Sequence, residues 1–202
     1  MVAAVDDDPA VLRSLVRLLS VRGFDAKAFS SPETLLAEIA TVSPECLIVD
    51  LSMPVFGGLE LQRRLKETGH DYPIVFLTGH GDIRASVLAM RSGAVDFLTK
   101  PIVQVELLDA IDRALARGKH AREAAERAAA LRRRVSSLTL REGQVFEQVV
   151  AGFLNKQIAA NLGISEKTVK VHRANVMRKM RVRSVAELAR IAERLETERP
   201  VA

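Results

Sequence analysis

The sequence predicts an α/β domain with a five-stranded, doubly wound parallel sheet, then an all-α domain of four helices, with a long helical linker between them. Three observations lead there. Short apolar runs alternate with amphipathic stretches five times before residue 118, the pattern of parallel strands joined by crossover helices. From Val103 to Val135 the composition favours helix, and Gly118 is the only breaker. From Thr139 onward every apolar pattern is helical.

The elements follow in order. Val2 to Val5 is the first strand. A helix from Pro9 to Arg22 turns Val11, Leu12, Leu15, Leu18 and Leu19 inward, with Asp8 as its cap. Phe24 to Phe29 is the second strand, and Ser31-Pro32 opens the second helix. Cys46 to Asp50 is the third strand. Gly57-Gly58 leads into a helix through Leu59, Leu61 and Leu65. Ile74 to Leu77 is the fourth strand, followed by a helix from Asp82 to Ser92, and Val95 to Leu98 is the fifth. The helix of residues 103–135 follows, with a bend anticipated at Gly118 and a thin apolar stripe of Leu108, Ile111, Leu115, Ala125, Ala128 and Val135. So thin a stripe favours an extended linker over a self-paired coiled coil. Thr139-Leu-Arg-Glu142 is a capping box. Asn155 opens a short helix ending at Gly163, Ser165 caps one running from Glu166 to Arg181, and Ser184 caps the last, to Glu196. The expected divisions are 1–118, 119–137 and 138–202. The first strand is short. Its brevity leaves two readings, a weaker sheet edge or a natural start somewhat upstream of Met1.

Charge divides the chain as well. Residues 1–101 carry 10 Lys/Arg against 13 Asp/Glu, residues 102–136 carry 8 against 5, and residues 137–202 carry 12 against 7. An acidic front and a basic back point to different partners, nucleic acid for the back or a merely solvated surface. No apolar run reaches the length of a membrane span, and no basic start precedes a long apolar stretch. The single cysteine, Cys46, cannot form an internal disulfide and is read as a core residue. A cytoplasmic protein with no membrane contact is expected.

Four polar positions stand where apolar runs stop: Asp6-Asp7, Asp50, Thr78 and Lys100. In an open parallel sheet these ends gather at one edge. Neighbouring carboxylates resist joint ionisation unless a cation is present, and Mg²⁺ suits such a set. Asp50 is the candidate nucleophile. Thr78 is a candidate hydroxyl donor and Lys100 a point charge for phosphoryl oxygens. Each of them alone would pass as a cap, a strand-end hydroxyl or a solvated charge. Met53 and Pro54 are read as shaping the loop.

Asp7, Asp50, Thr78 and Lys100 follow one another at intervals of 43, 28 and 22 residues, and with that spacing residues 1–118 resemble a two-component receiver domain of flavodoxin-like fold. The resemblance implies Asp50 as phosphoacceptor, Asp6, Asp7, Asp50 and the Ser52 carbonyl as ligands of Mg²⁺ or Mn²⁺, Thr78 and Phe97 as switch residues, and a cis peptide after Lys100. His80 falls where the family tunes phosphate lifetime. A plain loop histidine is the other reading.

In the basic half, Lys156 to Leu162, a turn through Gly163-Ile164-Ser165, and Glu166 to Arg181 form a helix-turn-helix pattern. Val169, Val176, Met177 and Met180 face inward. Lys167, Lys170, Arg173, Arg178, Lys179 and Arg181 make the second helix positive, as a major-groove helix requires. Residues 138–197, through Asn155-Lys-Gln-Ile-Ala and Ile164-Ser-Glu-Lys-Thr-Val-Lys-Val-His, resemble a LuxR-type DNA-binding domain. That likeness implies Lys170 and Val171 at the bases and Lys156, Ser165, Lys167, Thr168 and Arg173 near phosphates. Ala174 stands where some relatives carry a longer base-reader, and His172 is expected to pack between helices.

Together the halves resemble the NarL/FixJ class of response regulators, on the side of its FixJ/StyR branch. This implies phosphorylation by a cognate sensor histidine kinase, a homodimer on phosphorylation, double-stranded DNA with promoter half-sites as target, and RNA polymerase as a further partner. A DNA-binding transcription factor that is dimeric without phosphate is the alternative. An enzyme is not expected, because the sequence offers no separate general base.

Overall fold

The computed structural model describes residues 1–79 and 83–197. The chain divides into two compact units, Met1–Glu123 and Ala124–Ala202.

The first unit runs β1 (Val2–Val5), α1 (Pro9–Val21), β2 (Ala26–Phe29), α2 (Pro32–Val42), β3 (Cys46–Asp50), α3 (Gly58–Glu67), β4 (Ile74–Thr78), α4 (Ile83–Arg91) and β5 (Asp96–Thr99), then enters α5 (Gln104–Ser136). Its five strands are parallel, in the order β2-β1-β3-β4-β5. The short first strand is therefore interior and not an edge. All four of its residues are buried and pair with β2 on one side and β3 on the other, so double pairing compensates for its length.

Side chains alternate between the two faces, as the strand period of two dictates. Ala4, Ile48 and Leu77 pack with Leu12, Leu15 and Leu19 of α1 and with α5. Ala3, Val5, Val49 and Phe76 pack with Leu35, Leu61 and Ala89 on the opposite face. Cys46 lies in the first of these cores, where burial pushes its thiol up to about 12. Phe24 falls outside β2, and its N–H instead closes the end of α1 on the Leu19 carbonyl.

The α5 stripe differs from the expected one. Leu107, Ala110, Ile111, Ala114 and Gly118 are its buried residues, while Leu108 is only half-buried. The small residues let the helix lie close to the sheet. A Cβ on Gly118 would come within 3.0 Å of Pro73 Cγ and 3.3 Å of the Glu45 carbonyl oxygen. Gly118 thus marks a close approach, and the helix continues through it.

The second unit contains the last turns of α5, then α6 (Leu140–Val150), α7 (Asn155–Leu162), α8 (Glu166–Met180) and α9 (Val185–Thr197). The Thr139 capping box forms in full. Ser165 and Ser184 accept from backbone N–H groups at the starts of α8 and α9, and Gly163 ends α7 at φ 65°. Val145, Ile158, Val169, Val176, Met180 and Leu188 make the core, and Leu131 and Val135 of α5 pack on it. No helix among the described residues is long and apolar enough to cross a membrane.

One glycine fixes how α3 meets the sheet. A Cβ on Gly58 would lie 2.6 Å from the Asp50 carbonyl oxygen and 2.8 and 2.9 Å from Phe76 and Val49 side-chain atoms. Gly58→Ala is expected to destabilise the first unit by roughly 1–3 kcal/mol, the usual cost of overpacking. Urea denaturation followed on the first unit checks this, with Gly69→Ala a poor control because its φ is +81° and Gly79→Ala a better one.

Candidate functional site

The topology reverses between β1 and β3, and the crevice beyond the strand ends lies there. Asp6 follows β1 directly, and Asp50 is the last residue of β3. Both are buried, and Asp7 is exposed. Carboxylate oxygens of Asp6, Asp7 and Asp50 all lie within 4.8 Å of one another. Three hard oxygen donors so close fit a divalent cation such as Mg²⁺, which keeps waters on its other positions.

Lys100 enters from the end of β5. Its backbone N–H donates to the Thr78 carbonyl at 2.7 Å, and its Nζ lies 2.7 Å from Asp6 Oδ2 and 2.8 Å from Asp50 Oδ1. The following peptide bond, Lys100–Pro101, is cis. Burial raises the Asp50 pKa above its ordinary value. The Lys100 hydrogen bond opposes that shift, and the Asp6 charge adds to it. Burial alone would lower Lys100, but its hydrogen bonds to Asp50 and Asp6 prevail and hold it above its ordinary value. Asp6 Oδ1 also accepts from the Asp8 N–H at 2.9 Å, while Asp8 caps α1 through Ala10 N–H.

Thr78 is buried at the end of β4, one residue beyond Leu77, the register partner of Asp50. Phe97 sits opposite Phe76 on β5, half-buried against the second core. Ser52 lies in the exposed β3–α3 loop, and its backbone N–H bonds the Asp50 carboxylate. His80 lies outside the described residues.

That loop is fastened at both ends. Gly58 N–H donates to the Leu51 carbonyl at 3.0 Å, and a Cβ on Gly57 would stand 2.5 Å from the same oxygen. The Arg64 guanidinium lies 4.2 Å above the Phe56 ring. Between these anchors Val55 is held at φ 69°, a left-handed conformation unfavourable for a β-branched residue, and is 91 % exposed. Sequence patterning singled out none of these residues except the glycines.

In the second unit α7 and α8 form the helix-turn-helix. Lys156, Lys167, Lys170 and Val171 are exposed. The Ser165 hydroxyl caps Thr168 N–H at 3.1 Å and bonds the Thr168 hydroxyl at 2.8 Å. Arg173 Nη1 donates to Asn155 Oδ1 at 2.9 Å. Asn155 is the first residue of α7, and Leu154 holds the cap position. Lys179 also departs from expectation. Its ammonium bonds the Glu142 carboxylate and the Ser137 carbonyl, tying α8 to the start of α6. This holds Glu142 below the usual carboxylate range and removes one cation from the exposed positive face. His172 is half-buried, with a buried Nδ1 that has no hydrogen-bond partner.

Comparison with known proteins agrees with this arrangement. Residues 2–112 match the response regulator receiver domain, and residues 136–192 match the bacterial regulatory proteins of the luxR family. The chain is 47 % identical over 192 residues to the response regulator protein TodT of Pseudomonas putida, covering 95 % of this chain and 85 % of that protein. It is 43 % identical over 188 residues to the transcriptional regulatory protein FixJ of Rhizobium meliloti, covering 93 % and 92 %. The solved structure of the response regulator StyR superposes with a TM-score of 0.87 at 44 % identity, covering 96 % of this chain and 98 % of that one.

The raised pKa of Asp50 means that its charge opposes folding at neutral pH. Without divalent cation, Asp50→Asn is expected to stabilise the first unit at pH 7. The gain should vanish as pH falls below the ordinary carboxylate range, where Asp50 is protonated folded or unfolded, and should develop as pH rises through its raised folded-state value. Denaturant midpoints of both proteins across that range check the sign.

Proposed function

The chain belongs to the response regulators of the NarL/FixJ class, with a receiver domain and a LuxR-type DNA-binding domain, and from that premise we propose that phosphorylation of Asp50 controls its grip on DNA. Like its relatives, it regulates transcription and is not an enzyme. The observation that carries the proposal is the Lys100 ammonium, 2.7 and 2.8 Å from the Asp6 and Asp50 carboxylates.

An Asp50 oxygen attacks the phosphorus of a sensor kinase phosphohistidine. The O–P bond forms as the P–N bond breaks, and the imidazole leaves with its electron pair and takes up a proton. Asp6, Asp7, Asp50 and the Ser52 carbonyl would hold Mg²⁺ or Mn²⁺, which when bound would neutralise charge on the carboxylates and the moving phosphoryl oxygens. Lys100 pairs with one phosphoryl oxygen, as a point charge can, and the Thr78 hydroxyl donates to another. Thr78 then draws inward, Phe97 turns into the space it leaves, and the surface of α4 and β5 changes.

That change pairs two chains. Residues 1–118 receive the phosphoryl group, 119–137 serve as linker, and 138–202 bind DNA. Paired α8 helices read two half-sites, linked binding supplying the affinity. Lys170 and Val171 meet bases, and Lys156, Ser165, Lys167, Thr168 and Arg173 meet phosphates. RNA polymerase completes the set of partners, in the cytoplasm.

Asp50→Asn is expected to abolish phosphotransfer from acetyl phosphate or a phosphorylated kinase, and phosphate-stimulated DNA binding with it. A variant that retains both excludes Asp50 as the acceptor. With Mg²⁺ and beryllofluoride the wild-type chain should dimerise and bind DNA more tightly, measured by light scattering and fluorescence anisotropy. A chain already dimeric, with equal DNA affinity in both states, would favour control without phosphate. Lys167→Ala should weaken binding uniformly across sequences and reduce the slope of log K against log salt by about 1.

A further inference from the structure

The start of α7 breaks the rule that the other helix starts of the DNA-binding unit follow. Thr139, Ser165 and Ser184 each offer a hydroxyl to a backbone N–H in the first turn. The cap of α7 is Leu154, which has no acceptor. Only the return half of the arrangement forms, with Leu154 N–H donating to Gln157 Oε1 at 2.8 Å. Serine or threonine at such a position stabilises a helix relative to a side chain without an acceptor. Burial does not repay that loss, because Leu154 is 69 % exposed and Phe153 before it is 41 % exposed.

The surroundings of Leu154 indicate what it meets. Asn155, the next residue, accepts a hydrogen bond from Arg173 of α8, and exposed Lys156 follows. Leu154 therefore borders the positive face of α7 and α8 proposed to meet DNA. In a helix-turn-helix the first helix crosses the sugar-phosphate backbone while the second enters the groove. An apolar side chain at the start of that first helix faces deoxyribose C–H groups more readily than base edges.

We propose that Leu154 is a DNA-contacting residue that packs on the deoxyribose of the backbone and strengthens binding without reading sequence. The inference rests on the assignment of the α7–α8 face to DNA. It predicts an opposition between stability and binding. The contact is apolar, so its removal leaves the count of neutralised phosphates unchanged.

The test uses the full chain and a short duplex selected by the wild-type protein from a random-sequence pool. Leu154→Ser is expected to raise the unfolding midpoint of the DNA-binding unit yet bind the duplex roughly five- to tenfold more weakly, the effect of losing part of a leucine's burial. The slope of log K against log salt should not change. Leu154→Ala should lose similar affinity without the gain in stability. A purely structural leucine would not give weaker binding in a more stable variant. Wild-type affinity in both variants overturns the proposal. So does a loss confined to one base-pair position, which indicates a base contact, or normal DNA affinity with failed transcription in vitro, which indicates a protein partner. Lys167→Ala separates the two levels. If it weakens binding while the Leu154 variants do not, this inference alone fails; if Lys167→Ala is also silent, the assignment of the face fails and this inference with it.

Discussion

One ammonium group organises the receiver unit. Lys100 stands between Asp6 and Asp50, two carboxylates with almost no access to water. Burial and the Asp6 charge both raise the Asp50 pKa, and the Lys100 hydrogen bond is what opposes them. The backbone arrangement that brings the lysine there is spread over the sheet: β1 and β3 adjacent at the topological reversal, β4 next to β3, and the Thr78 carbonyl receiving the Lys100 N–H. Parallel strands matter because they deliver all these ends to the same edge. Charge balance in the site and pairing order in the sheet are thus one constraint seen at two scales.

The polar residues of this edge were legible in the sequence because each interrupts an apolar run, and a strand that stops at a carboxylate or an ammonium stops at the sheet's rim. The helical caps were legible for a related reason, since a hydroxyl three residues before a glutamate describes a local geometry complete in itself. Contacts that depend on distance between elements were not. Ala110 and Ala114 are core residues only because α5 lies near enough to the sheet for a methyl group to reach it. Leu108 looks the better core residue in isolation, and helical phase alone moves it aside. Gly118 reads as a breaker by propensity, whereas its purpose follows from Pro73 and the Glu45 carbonyl, elements distant in the chain.

Lys179 is the instructive case for charge. Counted along α8 it belongs with the cations offered to a polyanion. In the folded unit it is held by Glu142 and the Ser137 carbonyl. A partner 37 residues away in sequence leaves no trace in the local pattern, so a count of lysines and arginines overstates the exposed positive charge. The pair instead fastens the end of α8 to the start of α6, where the Thr139–Glu142 capping box already fixes the backbone. The fixed position of α8 and the neutrality of its far end have the same origin.

The boundary between the two units falls within the residues of α5. α5 gives Leu107, Ala110, Ile111 and Ala114 to the first core, and its last turns place Leu131 and Val135 on the third, where Arg134 also donates to the Met180 carbonyl. A fragment that began at the helix-turn-helix likeness would leave those side chains behind and expose the hydrophobic surface they cover. In genetic exchange between such regulators, the inheritable output module therefore has to carry the tail of its neighbour's final helix with it.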